Sequence, residues 1–189
     1  CKEVRGKTLG IIGYGNIGSQ LSVMAEALGI RVLFYDIRNM LPHGNAIQMS
    51  DLDSLLSMSD FVSVHVPETS ETKTLLNKDR IGKMKSGSYL INSSRGTVVD
   101  LDALAEALSE GRLGGAAIDV FPVEPSSNDG VFKTALTKMP NVILTPHIGG
   151  STEEAQDAIG MEVATGMMRF LNEGCTVGSV NIPNLDLRS

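Results

Sequence analysis

Three side chains in this sequence could together hold an anion and move a proton: Arg95, Glu124 and His147. A guanidinium is always charged and can pair with a carboxylate through two parallel hydrogen bonds. An imidazole titrates near neutral pH, so it can take or return a hydroxyl proton. A carboxylate hydrogen-bonded to that imidazole stabilises the protonated ring and fixes its tautomer. Such a trio suits the oxidation of a hydroxy acid, provided that a hydride acceptor is bound beside it. Residue type alone leaves the matter open, because a loop arginine, a loop glutamate and a histidine at a strand exit are each ordinary.

The hydride acceptor has a candidate site of its own. Thr8 to Ile12 is a short apolar run of the kind a buried parallel strand shows. Gly13-Tyr14-Gly15-Asn16-Ile17-Gly18 follows, and then a helical pattern runs to about Leu28. A strand, a G-x-G-x-x-G turn and a helix in that order suit a dinucleotide pyrophosphate. The glycines allow the tight turn, the close approach of backbone to phosphate, and the packing of helix on strand. The helix start then offers N–H groups and a positive dipole end to the anion. A second apolar run, Arg31 to Tyr35, ends on Asp36, 18 residues beyond Gly18. A carboxylate there accepts hydrogen bonds from both adenosine ribose hydroxyls and repels a 2′-phosphate. The expected cofactor is therefore NAD rather than NADP.

Positioning these groups requires a sheet. Ile17, Leu21, Met24, Ala25 and Leu28 fall at helical spacing and are read as a core-facing stripe. Asn39 to Gln48 reads as a loop, Asp51 as the cap of a short helix, and Phe61 to Val64 as a third strand. The continuation His65-Val66-Pro67 breaks pairing at an end that should face the cofactor. A helix over 78–84, a strand over 88–92, a helix carrying Leu101, Leu104, Ala105 and Leu108, and a strand over 114–119 come next. A long loop over 121–138, a strand over 142–145 and a helix capped by Thr152 complete the pattern. Six strands alternating with helices predict an α/β fold: a Rossmann-type doubly wound parallel sheet in three layers. Residues 1–150 are expected to form the NAD-binding domain, and 151–189 a C-terminal helix and tail. Asp36, Pro67, Ser93, Arg95, Asp119 and His147 all fall at strand exits, where ligands bind in such sheets.

Composition narrows the partners. A net charge of −6, 4% aromatic residues and no Trp argue against a nucleic-acid partner. No apolar run reaches membrane-spanning length, no signal peptide is visible and no metal site is expected. Cys1 and Cys175 form no motif, which favours a reducing, cytoplasmic setting. The chain begins without Met and enters its first strand within ten residues, so it reads as a piece of a longer protein.

Four stretches together resemble a known family. They are the glycine turn Gly13 to Gly18, Asn92-Ser93-Ser94-Arg95-Gly96, Gly115 to Phe121 with Glu124-Pro125, and Thr145-Pro146-His147-Ile148-Gly149-Gly150. In this order they are similar to the signatures of the D-isomer-specific 2-hydroxyacid dehydrogenases. Phe34-Tyr35-Asp36, His65-Val66-Pro67-Glu68, Ile148 to Thr152 and Val180-Asn181-Ile182-Pro183 resemble the branch that acts on 3-phosphoglycerate.

The resemblance implies that Arg95, Glu124 and His147 are catalytic and that the substrate is a phosphorylated 2-hydroxy acid. It implies that Gly13, Gly15, Asn16, Ile17 and Gly18 hold the pyrophosphate and that Asp36 holds the ribose. Ser93, Ser94 and Arg95 would line the nicotinamide side, Asp119 would meet the carboxamide, and His147, Ile148, Gly149 and Gly150 would border the ring. Relatives often carry a basic residue or His where this chain has Asn16. The resemblance further implies a homodimer or homotetramer in the full-length protein, a substrate domain built from flanks largely outside this chain, and little turnover by the chain alone. A regulatory ACT domain would follow Ser189. Two alternatives stay open: a dehydrogenase for 2-hydroxyglutarate, lactate or glycerate, and a non-catalytic NAD-sensing module of the corepressor kind.

Overall fold

Thr8–Ile12 forms strand β1 in the interior of a parallel sheet in the computed structural model, which describes residues 3–125 and 132–183. Around it lie β2 (Arg31–Tyr35), β3 (Ile47–Gln48), β4 (Phe61–Val64), β5 (Tyr89–Asn92), β6 (Gly115–Ile118) and β7 (Val142–Leu144). Their order across the sheet is β3-β2-β1-β4-β5-β6-β7, and every neighbouring pair is parallel. The chain steps outward from β1 to β3, then returns to lay β4 on the other side of β1. Ile12 stands in register with Tyr35 of β2 on one side and Val64 of β4 on the other. The exits of β1 and β4 thus flank the point where strand order reverses, which is where open α/β sheets bind ligands.

Side chains alternate across a strand, so β1 and β2 each feed two cores. Ile12 and Leu33 join Leu55, Leu56, Val62, Val64, Leu90 and Leu104 in the larger one, covered by α2 (Leu52–Met58), α3 (Lys78–Lys83) and α4 (Leu101–Ser109). Leu9, Ile11, Val32 and Phe34 face the other way and pack with Tyr14 and Ala25 beneath α1 (Asn16–Ala27). Helices therefore lie on both faces of an all-parallel sheet, as the sequence pattern predicts.

Two expectations are corrected. The stripe read as the buried face of α1 is largely solvent-facing: Ile17 is 67% exposed, Met24 60% and Leu28 60%. Of the stripe, Ala25 is buried and Leu21 packs against the core as expected, and the helix otherwise buries Gly18 and Ser22, a row at helical spacing with Ala25. Close approach to β1 selects small residues there, since a Cβ on Gly18 would stand 2.1 Å from the Gly13 carbonyl oxygen. The sheet also has seven strands rather than six. Ile47 and Gln48, read as the end of a loop, pair with Leu33 and Phe34 as β3. Two residues are too few to show a period.

By contact the chain divides into two compact units, Cys1–Pro146 and His147–Ser189. The second holds α5 (Glu153–Glu173), which Thr152 caps by accepting the Ala155 N–H, and which ends on Gly174 at φ 67°. After α5, the Thr176 hydroxyl donates to the Pro183 carbonyl.

Candidate cofactor and active site

The glycine turn leaves β1 at Gly13, whose φ is +91° and whose missing Cβ would stand 2.4 Å from the His65 carbonyl oxygen beyond β4. A side chain at Gly13 would meet both a strained backbone and a clash. Gly18 is required by packing, as above. Gly15 is different: a Cβ there would touch nothing within 4 Å, and its φ of −78° suits any residue. Nothing in the described chain demands glycine at 15, so the open space above it is free for a ligand.

The helix start beside that space is equally open. The α1 N-cap, Gly15, makes no side-chain capping bond, and the first turn carries no acid. Asp51, Asn77, Asp100 and Thr152 cap α2, α3, α4 and α5, and Asp53, Asp79, Asp102 and Glu153 place acids in those first turns. Helix starts normally find such partners for their N–H groups. A pyrophosphate would supply at α1 the negative charge and acceptor oxygens that the other four take from side chains.

Asp36 closes this half of the site from the end of β2. Its Oδ2 accepts the Tyr14 N–H at 2.8 Å and its Oδ1 accepts the Arg38 N–H at 3.0 Å. Each carboxylate oxygen retains acceptor capacity for a ribose hydroxyl. The structure thus brings the glycine turn and Asp36 together through the Tyr14 N–H. His65 lies beside them. Its Nε2 sits 2.8 Å from Ser63 Oγ, and burial pushes its pKa below the ordinary 6.5, which favours the neutral ring.

A second group gathers at the exits of β5, β6 and β7. Asn92, fully buried at the last position of β5, accepts the Ser94 N–H (3.1 Å) and hydroxyl (2.9 Å) and donates to the Arg95 carbonyl (3.0 Å). Its one side chain therefore folds Ser93–Arg95 into a fixed loop. Arg95 is exposed, and its Nη1 donates to the Ser94 carbonyl at 2.7 Å. A Cβ on Gly96 would stand 2.0 Å from the Phe121 carbonyl carbon, so the arginine loop and the segment carrying Glu124 touch backbone to backbone. Glu124 Oε1 accepts the Phe121 N–H at 3.0 Å. Asp119 leaves β6 with its N–H on the Asn92 carbonyl (3.0 Å) and accepts the Thr145 hydroxyl at 2.5 Å.

His147 opens the second unit, at φ +53°. The left-handed region is uncommon for a residue with a Cβ, and such conformations concentrate at functional positions. In the same unit Ile148 accepts the Ser151 N–H at 2.9 Å, and a Cβ on Gly149 or Gly150 would meet nothing within 4 Å.

Two residues that organise the site did not stand out in the sequence as site residues. Asn92 looked like a strand end, although a polar residue closing an apolar run is a signal that it has backbone to satisfy. Tyr14, a variable position of the glycine motif, is 1% exposed and stacks on Phe34 with ring centroids 3.7 Å apart. Among the described residues there is no group of three His, Cys, Asp or Glu side chains that could hold a metal, and no helix is long and apolar enough to cross a membrane.

The fold and the glycine site define a dinucleotide-binding domain. Residues 1–149 match the family model for the D-isomer specific 2-hydroxyacid dehydrogenase, NAD binding domain, and the chain belongs to that family. Within it the chain is similar to D-3-phosphoglycerate dehydrogenases. It is 60% identical over 185 residues to the one from Haemophilus influenzae, covering 98% of this chain and 45% of that protein. It is 55% identical over 197 residues to D-3-phosphoglycerate dehydrogenase 2 of Saccharomyces cerevisiae, covering 100% of this chain and 42% of that protein. The chain thus spans less than half the length of the curated relatives it matches. Among solved structures, it is similar to a D-isomer specific 2-hydroxyacid dehydrogenase from Lactobacillus delbrueckii ssp. bulgaricus in an NAD-complexed form. The TM-score is 0.81 at 31% identity, over 90% of this chain and 55% of that one. It is also similar to the NAD-dependent formate dehydrogenase of Staphylococcus aureus in complex with NAD, with TM-score 0.79 and 37% identity, over 91% of this chain and 50% of that one.

Proposed function

We propose that the whole protein oxidises 3-phosphoglycerate to 3-phosphohydroxypyruvate with NAD, the first step of L-serine biosynthesis, and that this chain is its cofactor-binding part. The observation that carries the reading is the likeness of the entire chain, at 55–60% identity, to D-3-phosphoglycerate dehydrogenases.

The bound dinucleotide supplies the hydride acceptor. The α1 N–H groups at Asn16 and Ile17 take the pyrophosphate, and Asp36 takes the adenosine ribose and turns away a 2′-phosphate. Ser93, Ser94 and Asp119 line the nicotinamide side, and the run from His147 to Gly150 borders the ring. Arg95 holds the substrate carboxylate and so aims the carbinol carbon at the cofactor. His147 accepts the hydroxyl proton as the carbonyl forms, and Glu124 stabilises the imidazolium that results. The loop geometry around Asn92 supports the part given to Arg95, since a clamp that holds a substrate must itself be held.

Residues outside this chain complete the substrate side, so the chain alone binds NAD with little turnover. The uncovered apolar pair Met24 and Leu28 on α1 supports a homodimer or homotetramer, and the two motif-free cysteines support a cytoplasmic setting. The test is His147→Ala in the whole protein. Turnover is expected to fall by about 10²–10⁴, the usual worth of a positioned acid–base group, with NADH affinity within about twofold of wild type. Unchanged turnover would remove His147 from the mechanism.

A further inference from the structure

Tyr14, 1% exposed, contacts Asp36, Phe34, Ser22 and His43. Its backbone N–H fixes Asp36 Oδ2, and its ring lies flat on Phe34, two residues before Asp36 (interplanar angle 18°). Its hydroxyl is 2.7 Å from Ser22 Oγ on α1 and accepts the His43 N–H at 3.1 Å. The Ser22 proton is already engaged on the Ser19 carbonyl at 2.7 Å, so the Tyr14 hydroxyl donates to Ser22. A directional relay results: His43 N–H to Tyr14, Tyr14 O–H to Ser22, Ser22 O–H to Ser19. It ties the segment after Asp36 to the helix that carries the pyrophosphate site. The same segment is pinned elsewhere by Gln48, which bonds Arg38 and Met40, and by Glu26, which accepts the Asn45 N–H at 2.8 Å. The Gln48 link reaches Asp36 through Arg38, whose N–H donates to Asp36 Oδ1, and the Tyr14 link reaches its other oxygen and α1 as well.

We propose that Tyr14 is a positioning residue for cofactor choice: its buried hydroxyl locks the 36–46 segment to α1, and so holds the Asp36 carboxylate where it grips an unphosphorylated ribose. The proposal rests on the reading of the glycine turn and Asp36 as an NAD site. Removing the hydroxyl leaves the stack and the glycine turn in place but takes away the acceptor that ties the His43 N–H to α1, so the wall bearing Asp36 loosens.

The experiment is Tyr14→Phe in the whole protein, with direct binding of ADP-ribose, NADH and NADPH and competition by nicotinamide mononucleotide. ADP-ribose and NADH should each bind about fivefold to tenfold more weakly, the effect of one or two lost hydrogen bonds. The mononucleotide should be unaffected, and the NADH-to-NADPH affinity ratio should narrow. A general loss of stability would lower the melting temperature and weaken both halves alike, which contradicts the proposal. ADP-ribose affinity within twofold of wild type also overturns it. Should Tyr14→Phe fold poorly, Ser22→Ala breaks the relay from the other side. It should weaken ADP-ribose comparably, and full affinity there sinks the proposal. If wild-type protein binds neither NADH nor ADP-ribose, the NAD reading itself fails; if wild type binds both and the variants match it, only the role of Tyr14 fails.

Discussion

Asp36 is held in place by the polypeptide itself, with one oxygen on the Tyr14 N–H and the other on the Arg38 N–H. A carboxylate so held is preorganised, and preorganisation is what converts hydrogen bonds into affinity. Asp36→Ser should therefore weaken NADH by roughly ten- to a hundredfold, as expected for hydrogen bonds to a charged group, and should bring NADPH affinity closer to it. Equilibrium titration of both dinucleotides checks this. His65 carries a pH signature. Burial lowers its pKa below 6.5, so above that value both folded and unfolded chains hold the ring neutral. As pH falls below 6.5 the unfolded chain binds a proton before the folded one does, and stability drops until the folded ring is also protonated. The melting temperature of wild type relative to His65→Gln should therefore decline from pH 7 toward pH 5; a difference independent of pH would refute it. At this scale Asp36 was legible because a motif fixed its spacing. Asn92 and Tyr14 were not, because their roles depend on partners 29 residues away or on a carbonyl they fold back to reach.

The strand–turn–helix unit of β1 and α1 was legible in outline but not in orientation. The sequence assigns its three glycines to a turn, a phosphate approach and a packing contact, and the structure shows the same division of duties. Gly15→Ala introduces a Cβ into open space, so the melting temperature should change little, within what about 1 kcal/mol at an N-cap permits. Binding of ADP-ribose should nonetheless fall at least tenfold, because the added methyl occupies the space where phosphate must approach the backbone. Gly18→Ala drives a Cβ against the Gly13 carbonyl, so it should destabilise the fold itself. Thermal melts and ADP-ribose titrations of the two variants separate binding from packing. The buried face of α1 was misread for the same reason that Gly18 matters. Hydrophobicity ranked Ile17, Met24 and Leu28 inside, while the short helix–strand distance admits only Gly18, Ser22 and Ala25. Strand β3 escaped notice because its two residues owe their conformation to pairing with β2 rather than to any pattern of their own.

Across the whole molecule, the all-parallel sheet and its reversal between β1 and β4 place the glycine turn and the β2 exit side by side. The alternation of strands and helices was enough to predict that arrangement. What each side chain does at the substrate was not readable from it, because strand order fixes where side chains gather and not what they touch, and the chain spans less than half the length of these relatives. The central claim is the pairing of NAD with a phosphorylated 2-hydroxy acid. Its most direct test is the steady-state reduction of 3-phosphohydroxypyruvate by the whole protein, run against hydroxypyruvate, pyruvate and 2-oxoglutarate with NADH and with NADPH. We predict that 3-phosphohydroxypyruvate with NADH gives the highest kcat/KM, on the order of tenfold or more above each alternative, as loss of a phosphate contact requires. A higher kcat/KM for another acid, a preference for NADPH, or no turnover with any of the four would contradict it.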